Sequence, residues 1–292
     1  MSKIQITTDS HTSLTAAQAE RLGAAVLPMP FYIDGVCGYE GVDLTREMFF
    51  EKLNSGAEVT TSQASPAEVT ALWDEALKTH DQVLHFPISS GLSGSYAVAR
   101  ALSQDEPYAG RVFVVDTGRV ATPQVSSLFD AAALIEKGYD AAKIRDILEA
   151  ERDNMSVYIA VDTLEYLHRG GRISGAAAAV GTLLHVKPIL KLGVGRLEAF
   201  SKMRGMARAK SMMIETLRHD LETTFADAYA RGEMRILAAT STTDEQTAAW
   251  VEEIRRELSV DDVLCAPLSL GVCCHTGGGA VAIGCARIPT EC

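Results

Sequence analysis

Residues 81–116, DQVLHFPISSGLSGSYAVARALSQDEPYAGRVFVVD, decide the fold class. Asp81 to Ile88 reads as a buried strand, and Gly94 to Leu102 carries small and apolar residues at helical spacing. Arg111 to Asp116 (RVFVVD) reads as a second, fully buried strand. A strand, a helix and a strand in close succession require a right-handed crossover and hence a parallel sheet. The same alternation extends in both directions. Ile4 to Thr8 reads as a strand, followed by helix-like TAAQAERLG ending at Gly23. Ala24 to Ile33 is apolar but contains Pro28 and Pro30. Because proline lacks a ladder donor, that segment belongs at a sheet edge or in an irregular strand. Asp34 and Gly35 mark a turn, and Thr45 caps a helix to Leu53. Further helices are expected over Pro66 to Lys78, Val125 to Lys137 and Ala141 to Arg152.

Beyond about Asn154 the pattern changes. A strand at Ser156 to Asp162 leads into the glycine-rich HRGGRISGAAAAVG. Pro188 to Leu192 and Leu197 to Lys202 form an expected hairpin across Gly193 to Gly195, and a long amphipathic helix spans Ala207 to Arg231. A strand at Met234 to Thr240, a helix at Thr243 to Leu258 and strands at Val263 to Leu268 and Ala280 to Ala286 complete the reading. The expectation is an α/β chain of two domains: an N-terminal parallel α/β/α sandwich over 1–154 and a C-terminal α+β domain over 155–292.

Bulk composition narrows the function. The 27 Lys and Arg against 38 Asp and Glu leave a net charge of −11. That argues against a general nucleic-acid binder and against loose adsorption to anionic membranes. The six cysteines have neither CxxC nor zinc-ligand spacing and sit in apolar contexts such as VLCAPLSLGVCC. They read as reduced, buried thiols in a cytoplasmic protein without a metal. The start, MSKIQITTDS, shows no apolar signal region, and no apolar run approaches the about 18 residues of a membrane span.

Four segments are richer in hydroxyls and glycines than a scaffold requires: TTDS (Thr7 to Ser10), TTSQASP (Thr60 to Pro66), ISSGLSGSY (Ile88 to Tyr96) and HTGGGA (His275 to Ala280). Loops after the carboxyl ends of parallel strands gather at one edge, where ligands bind. Each segment also has a plain structural reading. Asp9 and Ser10, Ser65, and Ser93 can cap helices, and the three glycines can be a tight turn. Together, hydroxyls and helix N-terminal amides form an anion site, to which Arg172 adds a planar fork. His275 is open between a ligand contact and a satisfied core histidine. Among catalytic signals there is no GxxxxGK[ST], GxGxxG or HExxH. GLSGS at Gly91 to Ser95 approaches a GxSxG nucleophile elbow but ends in serine.

As an ordered set the segments resemble the DegV family from end to end. TTDS, TTSQASP, ISSGLSGSYAVA, VVDT at Val114 to Thr117, VDTLEYLHRGGRIS at Val161 to Ser174, LLHVKPILKL at Leu183 to Leu192, KMRG at Lys202 to Gly205 and HTGGGA carry the resemblance. It implies a fatty-acid-binding protein that holds one acyl chain between and within its domains and catalyses nothing alone. Its carboxylate is then held by Thr61, Ser62 and Ser93, with Arg172 and His275 close by and Thr276 beside them. The resemblance also implies a partner, a separate fatty acid kinase that makes an acyl phosphate. Lys202 and Arg204 are the candidates for docking it. Leu27, Phe31, Ile33, Phe86 and Leu92 are the candidate acyl lining. Gly278 stands where the family pattern has proline, Ser95 where it has threonine, and Pro87 interrupts a normally apolar strand. Two other readings stay open: a serine hydrolase using Ser93 with His275, and a phosphate or nucleotide sensor built on the glycine-rich loop.

Overall fold

The computed structural model describes residues 2–173, 186–193 and 196–292. Met1, Ser174 of the GGRIS block, the stretch 175–182, residues 183–185 of LLHVKPILKL and residues 194–195 of the expected hairpin turn fall outside them.

In chain order the first half runs β1 (Ile4–Asp9), α1 (Ala16–Leu22), β2 (Ala25–Leu27), β3 (Pro30–Ile33), β4 (Val36–Tyr39), α2 (Arg46–Asn54) and β5 (Val59–Thr61). It continues with α3 (Pro66–Leu77), β6 (Gln82–Phe86), α4 (Ser95–Leu102), β7 (Val112–Val114), α5 (Thr122–Glu136) and α6 (Ala141–Ala150). Helices α1, α2, α3 and α6 start where a side chain satisfies an orphan N–H group. Thr15 with Gln18 and Ser65 with Glu68 form reciprocal capping boxes on α1 and α3. Gly23 ends α1 in the left-handed conformation, at φ 58°. Strands β2, β1, β6 and β7 form a parallel sheet in that order, with β2 at its edge. The proline-containing segment 24–33 divides, β2 joining this sheet and β3 another. That other sheet, antiparallel in the order β4-β3-β5, was not expected from the sequence.

The second half comprises β8 (Met155–Ala160), α7 (Glu165–Arg169), β9 (Val186–Gly193), β10 (Arg196–Arg204), α8 (Met206–Glu222) and α9 (Ala226–Ala230). Then follow β11 (Met234–Thr240), α10 (Asp244–Leu258), β12 (Leu264–Pro267), α11 (Leu270–Thr276) and β13 (Val281–Arg287). Six strands form a mixed sheet in the order β10-β9-β8-β13-β11-β12. The long helix expected over 207–231 breaks after Glu222, where the Thr223 hydroxyl bonds back to the His219 carbonyl at 2.6 Å.

Strand alternation gives this sheet two apolar faces. Tyr158 and Ala160, Ile236 and Ala238, and Val281 and Ile283 pack against Met213 and Leu217 of α8 and Trp250 and Ile254 of α10. Ile159, Ala239 and Ala282 point the other way and join Phe31 and Ile33 of β3 with Phe49 and Leu53 of α2. A piece of the first half thus covers the second-half sheet. Ion pairs reinforce the junction. Arg235 on β11 meets Asp130 on α5 at 2.9 Å, and Arg287 on β13 meets Glu151 just after α6 at 2.6 Å. The fully buried Arg119 donates to Ser127 and to the Glu151 carbonyl, both at 2.9 Å. Architecture and topology are those of a two-domain α/β protein.

No helix among the described residues is long and apolar enough to cross a membrane. All six cysteines are free, and Cys273, Cys274 and Cys285 are buried, their thiols pushed up to about 12 by burial. The buried-thiol expectation fails for Cys37, exposed on the edge strand β4, while Cys265 and Cys292 are half-buried.

Candidate functional site

A cavity of about 220 Å³ opens between the halves of the chain. Its apolar floor is the face of the six-stranded sheet that carries Val157, Ile159, Leu192, Ala239 and Ala282. Ile88, Leu92, Val120 and Ala121 cover it from the first half. Of the expected acyl-lining residues, Leu92 is in place. Leu27, Phe31, Ile33 and Phe86 instead fill the packed cores around it.

All six head-group candidates, Thr61, Ser62, Ser93, Arg172, His275 and Thr276, line this one cavity. They arrive from four separate elements. Thr61 ends β5, and Ser62 follows it, exposed, with its hydroxyl donating to the Gln63 carbonyl at 3.2 Å. Ser93 lies between β6 and α4, where its hydroxyl accepts from the Ser95 amide at 3.2 Å and bonds the Ser95 hydroxyl at 2.9 Å. Ser93 is not the cap of α4, whose N-cap position is Gly94 with no side-chain cap bond. Arg172 follows α7, half-buried, its guanidinium donating to the Gly170 carbonyl. Among the described residues no carboxylate pairs with it.

His275 and Thr276 do not sit in a glycine-rich loop as expected. They form the last turn of α11, which Ser269 caps by accepting from the Val272 amide. The segment LGVCCHT hides this helix because its small and β-branched apolar residues read equally well as a strand continuation. His275 Nε2 bonds the Thr61 hydroxyl at 2.9 Å, tying α11 to β5 across the cavity. Burial and, after it, the Arg172 and His11 charges push the His275 pKa down to about 4, so its ring is neutral at pH 7. The Thr276 hydroxyl is spent on the Val272 and Gly277 carbonyls, at 3.4 and 3.3 Å.

The turn after α11 needs its outer glycines. Gly277 and Gly279 have φ near 72° and 77°, and a Cβ would stand 2.8 Å from the Tyr166 ring or 2.9 Å from the Asp162 carboxylate. Gly278, where the resemblance expects proline, meets only ordinary contact with Phe50 at 3.5 Å. Lys202 and Arg204 are exposed, two residues apart on the edge strand β10, and do not line the cavity.

Sequence reasoning missed His11, which also lines the cavity and is 7 % exposed. Asp9 does not cap α1, a task that falls to Thr15. It instead holds the turn Ser10–Thr12 through the His11 amide at 3.0 Å, and accepts from the Ile88 amide at 2.8 Å. The available signal was a histidine directly after TTDS with no helical duty of its own.

Chemically, the polar end is a set of hydroxyl donors around one cation. Among the described residues the buried Nδ1 of His275 has no hydrogen-bond partner to orient it, the Ser93 hydroxyl bonds Ser95, and a histidine held near pKa 4 is a weak general base.

The family model described as Uncharacterised protein, DegV family, matches residues 3–287. A DegV domain-containing protein of Deinococcus radiodurans is 32 % identical over 281 residues, covering 96 % of this chain and 97 % of that protein. Among solved structures, a DegV family protein from Thermus thermophilus, described for its fatty acid binding, superimposes with a TM-score of 0.85 at 33 % identity, over 98 % of this chain and 99 % of that one. DegV from Bacillus subtilis, described as a fatty acid binding protein, does so with a TM-score of 0.83 at 28 % identity, over 98 % of this chain and all of that one (100 %). The chain belongs to the DegV family.

Proposed function

We propose that this chain binds one long-chain fatty acid, with the tail in the cavity and the carboxylate at the polar end, and presents that carboxylate to a separate fatty acid kinase. The observation that carries the reading is one cavity that joins an apolar sheet face to Thr61, Ser62, Ser93 and Arg172. Burying about fourteen methylenes contributes on the order of 11 kcal/mol, at about 0.8 kcal/mol each, so the tail supplies most of the affinity. A buried carboxylate without partners would cost several kcal/mol or take up a proton. The hydroxyls and the Arg172 fork answer that cost and fix the direction of the acid.

The fatty-acid-binding relatives from Thermus thermophilus and Bacillus subtilis, similar over nearly their whole length, support the ligand class. The protein itself supplies no catalytic step in this scheme, and works in the cytoplasm where the kinase and its nucleotide are found. Lys202 and Arg204, exposed on the edge of the six-stranded sheet, are the kinase-docking residues of the proposal. The domain boundary is taken between 154 and 155, where β8 begins.

Mass spectrometry of the solvent extract of protein purified from cells tests the reading. A stoichiometric long-chain acid is expected. Recovery of no lipid, together with no binding of added palmitate or oleate, would sink it.

A further inference from the structure

We infer that Glu40, on the loop between β4 and α2, is a positioning residue of the head-group site, acting through α11 on His275. The inference rests on the fatty-acid reading above and adds to it a residue that does not touch the ligand.

Glu40 is not among the residues that line the cavity. Its carboxylate accepts at 2.7 Å from the amide of Leu270, the first residue of α11. The loop that carries Glu40 is closed on itself. The Asp43 carboxylate accepts from the Tyr39 amide at 3.0 Å, and the Gly41 amide donates to the Leu44 carbonyl at 3.4 Å. At the far end of the same loop, Arg46 donates to the Leu268 carbonyl at 2.6 Å. Glu40 and Arg46 thus grip the chain on either side of Ser269, one by an amide and the other by a carbonyl. Ser13 completes the hold by accepting from the Ser269 amide at 2.9 Å. The start of α11, a second-half helix, is therefore fixed from the first half.

That hold reaches the site because α11 is short. Its seven residues are too few for a helix to keep its place by its own backbone bonds. His275 lies five residues after Leu270, about 7.5 Å along the axis at about 1.5 Å per residue. Among the described residues its ring makes one hydrogen bond, between Nε2 and the Thr61 hydroxyl at 2.9 Å, and its buried Nδ1 makes none. No second bond on the ring corrects a shift of the helix, and a displacement of about 1 Å takes the first past hydrogen-bond length. Leu270 is fully buried, so without Glu40 its amide loses its acceptor in a place water does not reach. Moving the helix end toward another acceptor relieves that cost, and His275 moves with it. Thr61 and His275 stand at the acid end of the cavity. Glu40 accordingly matters to a carboxylate and not to the tail.

Titration calorimetry of the delipidated full chain with palmitate and with hexadecanol tests this in the wild type, Glu40→Ala and Glu40→Gln. Glu40→Ala should weaken palmitate roughly tenfold, about the worth of one hydrogen bond, and hexadecanol less than about twofold. Glu40→Gln keeps an acceptor oxygen for the Leu270 amide and should bring palmitate back to within about threefold of the wild type. In a His275→Ala background, Glu40→Ala should weaken palmitate no further, because the ring it places is gone. Equal losses for acid and alcohol overturn the inference, as does a loss of the same size in the His275→Ala background. If Glu40→Ala does not fold, Glu40→Asp, which draws the carboxylate back by one methylene, takes its place against Glu40→Gln with the same outcomes. Palmitate binding that neither substitution changes overturns the inference and leaves the carrier reading standing, whereas binding of neither ligand by the wild type removes both.

Discussion

Gly170 gives up its side chain to His275: a Cβ built there would stand 2.1 Å from His275 Nδ1. The backbone of Gly170 is ordinary helical, with φ −75° and ψ −8°. The requirement for glycine is therefore one of space alone.

Gly170→Ala should consequently push the imidazole out of place and break the bond from His275 to Thr61. Overpacking of this kind costs about 1–3 kcal/mol of stability. We expect fatty-acid affinity to fall at least tenfold in titration calorimetry, with the fold preserved by circular dichroism. Unchanged affinity would show that the Thr61–His275 pair has no part in holding the acid.

Arg172→Gln removes the cation at the polar end while keeping hydrogen-bonding atoms. Loss of a charge-assisted hydrogen bond of about 1.5–3 kcal/mol weakens palmitate by roughly 10- to 100-fold. Hexadecanol, which has the same tail and no charge, should lose little. Equal losses for acid and alcohol would mean that Arg172 does not meet the carboxylate.

Acidification should destabilise the protein through two histidines. Burial pushes both His85 and His275 down to about 4 in the folded chain, against about 6.5 when unfolded. Between those values the unfolded chain binds more protons, so stability rises with pH. Their contribution is complete above about pH 6.5 and is lost as pH falls to 4, on the order of 3 kcal/mol for each ring. His85, bonded to the Thr7 hydroxyl at 2.9 Å and packed edge-on against Trp73, is the cleaner probe because it lies off the main cavity. Urea midpoints from pH 7 to 4.5 should fall less steeply in His85→Gln than in the wild type.

Ala282 on β13 forms part of the cavity floor, so a larger side chain there takes space from a tail lying on it. Ala282→Phe should lower affinity for sixteen-carbon acids more than tenfold, with a smaller loss for eight-carbon acids. Identical losses for short and long acids would place the tail elsewhere.

Charge reversal of Lys202 and Arg204 tests the docking part of the proposal. The double substitution to glutamate should leave palmitate affinity within twofold and slow acyl phosphate formation by the kinase at least tenfold. If phosphorylation proceeds at the wild-type rate, the kinase docks on another surface.

Much of the first half was legible because its signals are local. Thr45, Ser65 and Gly23 start or end helices as their chemistry requires, and RVFVVD supplies the strand β7, at an edge of the parallel sheet. The six head-group candidates, picked from separate segments of the sequence, line one cavity. What escaped were features whose cause is distant in the chain. Strands β4 and β5 are short, and neither shows a buried face of its own. They exist because β3 pairs with both. His275 could not be placed on a helix, because Ser269 as its cap is preceded and followed by apolar residues of no clear period. His11 escaped because its place in the cavity wall depends on packing against Gly271, far away in sequence and adjacent in space.

Strand β13 lies between β8 and β11, in the interior of the six-stranded sheet, although it is the last strand of that sheet in the chain. On the ribosome, β8 and β11 must therefore wait with open edges until residues 281–287 emerge. Ala282 and the middle of the cavity floor are missing until that moment. On the proposed function, lipid loading is then a late event, after synthesis of the strand that closes the sheet. A nascent chain halted before it would carry two open strand edges and an unfinished cavity floor.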